Sequence, residues 1–420
     1  MKAQGMKNLQ NNQRIFTEID ACRLCSSKDL HEVLDFGSQP PANSLRKDLN
    51  ESVPNAPLKL VQCGDCSAVQ LTATVDPAYL FSQYVWVTAT SATARSYSEF
   101  YCAEVLKRKA VKSPFVVEVA SNDGTFLKQF KDKGCSILGV DPAENIATKA
   151  TSEGVPTLAE FFDVKVAKKI LVEHQRPNIV MARNVIPHVK EIHSIVEGLS
   201  GLVNSDGIVV IEFHYAKTIA EELHYDSIYH EHLFYFSIKS LSALFAQYGL
   251  YPFDAFTSPI SGGSIVLFFS SKKIEPSNAF RDLVKTEEQS DLNHLDTWQH
   301  FGAESKKHAD NLKIIVAEYA KNSPLVAYGA SARSSTLMNF AGISNQEIDS
   351  VIDRNPIKHG LYTPGTNIPI VSYEEGLKRL DGKHLLLLAW NFEEEIVQDL
   401  RKSGFKGDII VPLPNKVHIR

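Results

Sequence analysis

Phe115-Val116-Val117-Glu118-Val119-Ala120-Ser121-Asn122-Asp123-Gly124 decides the fold. A β-branched apolar run passes directly into a loop of small and polar residues, and an amphipathic stretch follows. That is the opening of a strand–turn–helix unit. Further apolar runs recur downstream at SILGVD (136–141), VPTLAE (155–160), NIVMARN (178–184) and GIVVIEF (207–213), separated by helical patterns. The alternation predicts a parallel, doubly wound α/β sheet. After residue 213 a helix-like SIKSLSALFAQYG is followed by YPFDAFT and SIVLFFS across Gly262-Gly263, which predicts an antiparallel hairpin at the sheet edge.

The flanks differ from this centre. Residues 1–20 are polar and expected to be loose, and residues 21–90 hold four of the six cysteines among turn signals. Residues 91–273 form the central unit, and 274–322 are charged with helical spacing, predicting linking helices. From 323 to 420 a second βα pattern (LVAYGA, IDSVID, HLLLLAWNF, DIIVPLP) predicts a smaller Rossmann-like α/β domain.

The 420 residues suit two or three domains, and 44% hydrophobic with 22% charged residues is ordinary for a globular chain. A net charge of -5 argues against a nucleic-acid partner. No apolar run reaches membrane-span length and the start carries no apolar signal core, so a cytoplasmic protein is expected.

Cys22-x-x-Cys25 and Cys63-x-x-Cys66 make two knuckles, the spacing that completes a tetrahedral zinc site. Four thiolates leave no open position, so the zinc is expected to be structural. Cys102 and Cys135 lack partner spacing and are read as core residues.

The loop from Glu118 through Ser121, Asn122, Asp123 and Gly124 lacks the full glycine pattern of a pyrophosphate cradle. An acidic strand end without that cradle suits a positively charged cofactor lacking phosphate, which points to S-adenosylmethionine. Asp141, at the end of the next strand, is placed to meet ribose hydroxyls. Glu160 and Phe161 are placed to flank the adenine, and Asn184 to hold the amino-acid tail.

Tyr229-His230-Glu231-His232 follows the fifth strand, where a doubly wound sheet brings substrate to cofactor. A His can move a proton near neutral pH and a Glu can tune it. The bland alternative is a polar belt beneath Phe234, Tyr235 and Phe236. At the second sheet, Ala327-Tyr328-Gly329-Ala330-Ser331-Ala332-Arg333-Ser334 is a small-residue turn suited to cradling a pyrophosphate, with Arg333 adding charge. Asp353 and Asn355 end the next strand and could touch a nucleoside.

The cysteine pairs, EVASNDG, YDSIYHEH-x-FYFS, Gly262-Gly263-Ser264, AYGASAR and DRNPIKHG-x-x-x-PGTNIPI stand in this order over residues 20–415. As a set they resemble the sugar C-methyltransferases, which act on nucleotide-linked 4-keto-deoxysugars. The resemblance implies a class I methyltransferase domain between a zinc-binding and a sugar-nucleotide-binding domain. It implies His232 as the base, supported by Tyr229 and Glu231, with Tyr84 and Trp86 approaching the sugar. Ser264 and the two glycines before it would line the substrate site. This chain departs from the family pattern at Trp86, Ser261, Val266 and Asn367, which bears on which sugar is used.

The expected reaction is deprotonation beside the ketone and methylation of the enolate, at carbon 3 of the sugar. The alternatives are a sugar-nucleotide O-methyltransferase, a nucleotide-sugar oxidoreductase, and a non-catalytic zinc protein. The nucleotide ketosugar is the expected partner, and separate βα domains permit a monomer or homodimer.

Overall fold

The computed structural model describes residues 15–81, 92–109 and 111–420. Near the N-terminus, β1 (Phe16–Glu18), β2 (Leu30–Gln39), β3 (Ala56–Cys63), β4 (Val69–Leu71) and β5 (Ala73–Val75) follow one another. β2, β3 and β4 pair antiparallel, and β1 pairs with β5.

The five apolar runs of the centre become β6 (Phe115–Val119), β7 (Ser136–Val140), β8 (Thr157–Leu158), β9 (Ile179–Arg183) and β10 (Ile208–His214). All five are parallel. Helices cover both faces, so every residue of β10 is buried. This explains why parallel strands read as continuous apolar runs. The VPTLAE run shortens to two paired residues, because β8 is an edge strand with one neighbour.

β11 (Phe234–Tyr235) leaves this sheet altogether and pairs with β4 of the N-terminal sheet, Phe234 opposite Gln70 and Tyr235 opposite Val69. The helix Ile238–Ala246 follows, capped by the Ser237 hydroxyl. The hairpin is β12 (Tyr251–Ser258) and β13 (Ser264–Ser270). Its second strand inserts between the first and β10, giving the order β8-β7-β6-β9-β10-β13-β12 with β13 antiparallel to both neighbours. β6 has β7 on one side and β9 on the other, so the order reverses there and a crevice opens at the strands' carboxyl ends.

The second sheet comprises β14 (Leu325–Tyr328), β15 (Ile348–Ile352), β16 (Ile370–Val371), β17 (Leu385–Leu387), β18 (Ile409–Val411) and β19 (His418–Ile419). It runs β16-β15-β14-β17-β18-β19 and is parallel except for β19. Two helices, Asn278–Gln289 and Leu295–Tyr319, connect the sheets. The longer lies across β2. A Cβ on its Gly302 would come within 2.1 Å of the Val33 carbonyl oxygen, so glycine sets how closely helix and strand approach.

Candidate active site

Three left-handed residues in five shape the loop after β6: Ala120 (φ 56°), Asn122 (φ 50°) and Gly124 (φ 74°). Gly124 packs beneath Val155, where a Cβ would meet three side-chain carbons at 2.8–2.9 Å. Ser121 lies over Gly139. Asp141 accepts the Asn122 N–H at 2.9 Å and the Ala143 N–H at 3.0 Å, and burial raises its carboxyl above the usual range. Asp123 accepts from the Thr125 N–H and hydroxyl at the start of the helix Thr125–Asp132.

Glu118 is 1% exposed, and burial pushes its carboxyl up to about 8 although Arg183 lies 3.6 Å away. Arg183 also donates to Glu212 at 2.8 Å and stacks on the rings of Phe126 and Tyr101. Glu212 accepts in addition from the Ser258 hydroxyl at 2.6 Å. Sequence reasoning passed over Arg183 and Glu212. The signal was present, since each is a charge inside an otherwise apolar run whose strand is buried on both faces.

Asn184 (φ 49°) ends β9 and donates its N–H to the Glu212 carbonyl at 2.7 Å. Glu160 pairs with Lys169, and Phe161 presents a ring 61% exposed after β8. The residues expected to hold the cofactor therefore share one edge, the carboxyl ends of β6 to β9.

The Tyr225–Leu233 segment faces that edge. His232 is held at both ring nitrogens: Nδ1 lies 3.2 Å from the Ser227 carbonyl and Nε2 lies 2.9 Å from the Tyr229 hydroxyl. A carbonyl only accepts, so Nδ1 carries the proton and Nε2 offers a lone pair. Burial, then the charge of His188, keep the ring neutral, well below the ordinary histidine range. The His188 ring, from the segment after β9, sits edge-on at 4.6 Å, and burial lowers it to about 4. His188 was not anticipated from sequence.

The other two members of the cluster turn towards the N-terminal module. His230 contacts the Ala56 carbonyl at 3.1 Å, and burial lowers it to about 4. Glu231 accepts from Asn43 at 2.6 Å, and burial raises it to about 7. The Ser227 carbonyl thus takes the position beside His232 that the sequence reading offered to Glu231. The segment ends where Leu71 N–H donates to the Leu233 carbonyl at 3.0 Å and β11 joins β4. Tyr84 and Trp86 lie outside the described residues.

The sulfurs of Cys22, Cys25, Cys63 and Cys66 lie within 4.8 Å of one another, with Cys22–Cys66 and Cys25–Cys63 both at 3.6 Å. Tetrahedral zinc with bonds of about 2.3 Å requires sulfurs roughly 3.8 Å apart, so the donor set fits the ion. The two knuckles repeat one backbone. Ser26 (φ 61°) and Ser67 (φ 59°) follow the second cysteine of each and return their N–H groups to Cys22 and Cys63.

At the second sheet, Ser331 and Ser334 cap each other at the start of the helix Ala332–Ala341. Asp353 accepts the Ala330 N–H at 2.9 Å and the Asn355 N–H at 2.8 Å, and Asn355 accepts from Ile357. The Arg333 charge expected for a phosphate is directed elsewhere. It makes a two-pronged bond to Asp226 (2.9 and 3.1 Å) and a third to the Ser261 carbonyl, over the Trp390 ring. Trp390 also donates to Asp226 at 2.8 Å. Gly262 packs near Trp390, His224 and Arg333, Gly263 beneath Thr218, and Ser264 begins β13 fully buried.

Two of the family departures acquire structural roles here. Ser261 presents its carbonyl to Arg333, and Asn367 (φ 61°) accepts a hydrogen bond from Arg46, joining the N-terminal and C-terminal modules. Val266 is buried in β13 among the aromatic rings behind Arg183.

With this geometry in hand, three family models match in succession: a zinc binding domain over 22–81, a methyltransferase domain over 94–253 and a C-methyltransferase C-terminal domain over 259–414. The C-methyltransferase NovU of Streptomyces niveus is 31% identical over 411 residues, spanning 96% of this chain and 97% of that one. The chain belongs to the C-methyltransferase family. S-adenosylmethionine is its methyl donor, and the four cysteines are its zinc-binding cluster. Family membership selects carbon over oxygen as the methyl acceptor.

Two solved structures resemble less than half of this chain. The PH0226 protein of Pyrococcus horikoshii gives a TM-score of 0.37 at 16% identity, over 46% of this chain and 98% of that one. The magnesium protoporphyrin IX methyltransferase of Synechocystis with bound SAM gives 0.33 at 10% identity, over 42% and 78%. At those scores the class I methyltransferase fold rests on the strand order and the family models. No helix among the described residues is long and apolar enough to cross a membrane.

Proposed function

We propose that this C-methyltransferase acts on carbon 3 of a nucleotide-linked 4-keto-deoxysugar. His232 at the cofactor edge carries the reading, because its Nδ1–H is fixed by a carbonyl and its Nε2 lone pair is held only by the Tyr229 hydroxyl. A ketone acidifies the neighbouring C–H. His232 Nε2 takes that proton, and the Tyr229 hydroxyl, released from Nε2, donates to the ketone oxygen as charge develops there. Bound S-adenosylmethionine supplies an electrophilic methyl group that the enolate carbon attacks.

In this reading Glu118, Ser121, Asn122, Asp123, Gly124, Asp141, Glu160, Phe161 and Asn184 hold the cofactor. Glu231, Tyr84 and Gly262 to Ser264 face the sugar. The nucleotide reaches Ser331, Ser334, Asp353 and Asn355 of the 323–420 module, and Arg333 holds that module against the catalytic segment. NovU, a C-methyltransferase related along nearly its whole length, supports methyl transfer to carbon.

The test is incubation with methyl-labelled S-adenosylmethionine and a panel of nucleotide 4-ketosugars in deuterated water, read by mass spectrometry and NMR. A carbon-bound methyl next to the ketone is expected. Cofactor binding with neither methyl transfer nor α-hydrogen exchange across the panel would sink the ketosugar reading.

A further inference from the structure

The carboxyl of Glu231 is reached from far away in the chain. Asn43 Nδ2 donates to Glu231 Oε1 at 2.6 Å across 188 positions. Asn43 lies on the turn after β2, and that turn is held from two sides. The Ser44 N–H donates to the Pro41 carbonyl at 2.9 Å, and the Ser44 hydroxyl meets the Tyr79 hydroxyl at 3.1 Å. Arg46 exchanges both backbone hydrogen bonds with Tyr362 of the C-terminal module, at 3.0 and 2.8 Å. The turn that carries the Asn43 amide is therefore held in place by contacts other than Glu231.

A donor bound to one carboxyl oxygen sets the side-chain rotamer and leaves the other oxygen to a second partner. Beside Glu231 lies a cavity of about 10 Å³, shared with His188, whose ring meets that of His232. That is close to the room one water needs.

We propose that Asn43 is a positioning residue: its amide N–H fixes Glu231 by one oxygen and leaves the other for a polar group of the substrate. The proposal rests on the reading of Glu231 as a substrate-facing residue. The titratable groups around Glu231 are His188 and Lys190 from the segment after β9, with His230 and His232 on its own segment. The N-terminal side of the cavity, Thr74, Val75, Pro77 and Leu80, carries no charge. Burial raises the carboxyl to about 7 and the Asn43 donor opposes that rise. Losing the donor therefore moves the midpoint upward.

The experiment uses the full zinc-loaded chain carrying Asn43→Ala, with Asn43→Leu as a second variant of similar volume that removes the donor without adding a titratable group. Infrared difference titration follows the Glu231 carboxyl band, assigned by its loss in Glu231→Gln, and needs no substrate. In both variants the midpoint is expected to rise above 7, with zinc content and S-adenosylmethionine affinity as in the parent. Methyl transfer is expected to fall about tenfold, the size of one hydrogen bond to an ionisable group. In a Glu231→Gln background the Asn43 change is expected to cost nothing more. An unmoved carboxyl band, or losses that multiply in the double variant, would overturn the proposal. If Glu231→Gln alone leaves methyl transfer intact, the substrate-facing reading fails, while the band still decides whether Asn43 fixes the carboxyl.

Discussion

The central and C-terminal sheets open with the same device and finish it differently. In each, an aspartate at the end of the second strand hooks the loop after the first. Asp141 takes the Asn122 N–H and Asp353 takes the Ala330 N–H, both at 2.9 Å. Each aspartate also accepts the N–H two residues further on. The helices that follow diverge. The central one starts at Gly124, which has no side chain to cap with, over a loop containing three left-handed residues. The C-terminal one starts at Ser331 and is closed by a reciprocal serine capping box. Its cation, Arg333, is bound to Asp226 in the Tyr225–Leu233 segment. One framework thus carries an uncapped helix start in the central sheet and a capped one, with its cation engaged, in the C-terminal sheet.

The comparison breaks most visibly at the segment that meets Arg333, where the proposed base lies. His232→Ala should lower methyl transfer by about a thousandfold, within the range for a general base, and leave S-adenosylmethionine affinity unchanged by calorimetry. A variant that still transfers methyl at the parent rate removes His232 from the mechanism. Arg333→Met should cost about 3 kcal/mol in denaturant unfolding, because Asp226 is left buried without its main partner. Pairing it with Asp226→Asn should recover most of that loss.

The two helix starts are separated by a matched pair of changes. On the proposed reading that Glu118 helps hold the cofactor, Glu118→Gln should weaken cofactor binding about tenfold, the size of one hydrogen bond to an ionisable group. Ser331→Ala should leave cofactor affinity alone and cost about 1 kcal/mol of stability, the usual value of an N-cap. Equal effects of the two on affinity would erase the contrast.

The last contrast is in pH dependence. Burial lowers His188, His224 and His230 from 6.5 to about 4. The unfolded chain protonates first, so the stability they carry above pH 6.5 is lost between 6.5 and 4, by up to about 1.4 kcal/mol per pH unit for each. Glu118 acts oppositely: its carboxyl is raised from 4.5 to about 8, so its contribution is complete below 4.5 and lost as pH rises through 8. In the C-terminal module Glu347 and Glu393 are held below 4.5, and their contribution is lost only below that value. Hydrogen exchange at pH 7 and pH 5 should therefore show the central sheet losing protection before the C-terminal one.

The sequence by itself determined what local chemistry controls. Parallel strands buried on both faces leave continuous apolar runs, so β6, β7, β9 and β10 were readable within a residue or two. Two Cys-x-x-Cys knuckles announce a tetrahedral ion because the spacing is the geometry. Tyr229-His230-Glu231-His232 announced a cluster, but could not say that its two histidines face different modules. Only the tertiary structure decided that β13 inserts beside β10, that β11 completes the zinc module's sheet, and that Arg333 binds Asp226. It also decided that Ser227 and Tyr229 orient His232 while Asn43 holds Glu231. The physical reason is range. Periodicity and motif spacing report contacts within a turn or a strand, whereas Asn43 and Glu231, or Asp226 and Arg333, meet across 188 and 107 positions, and neither member's local sequence encodes the other.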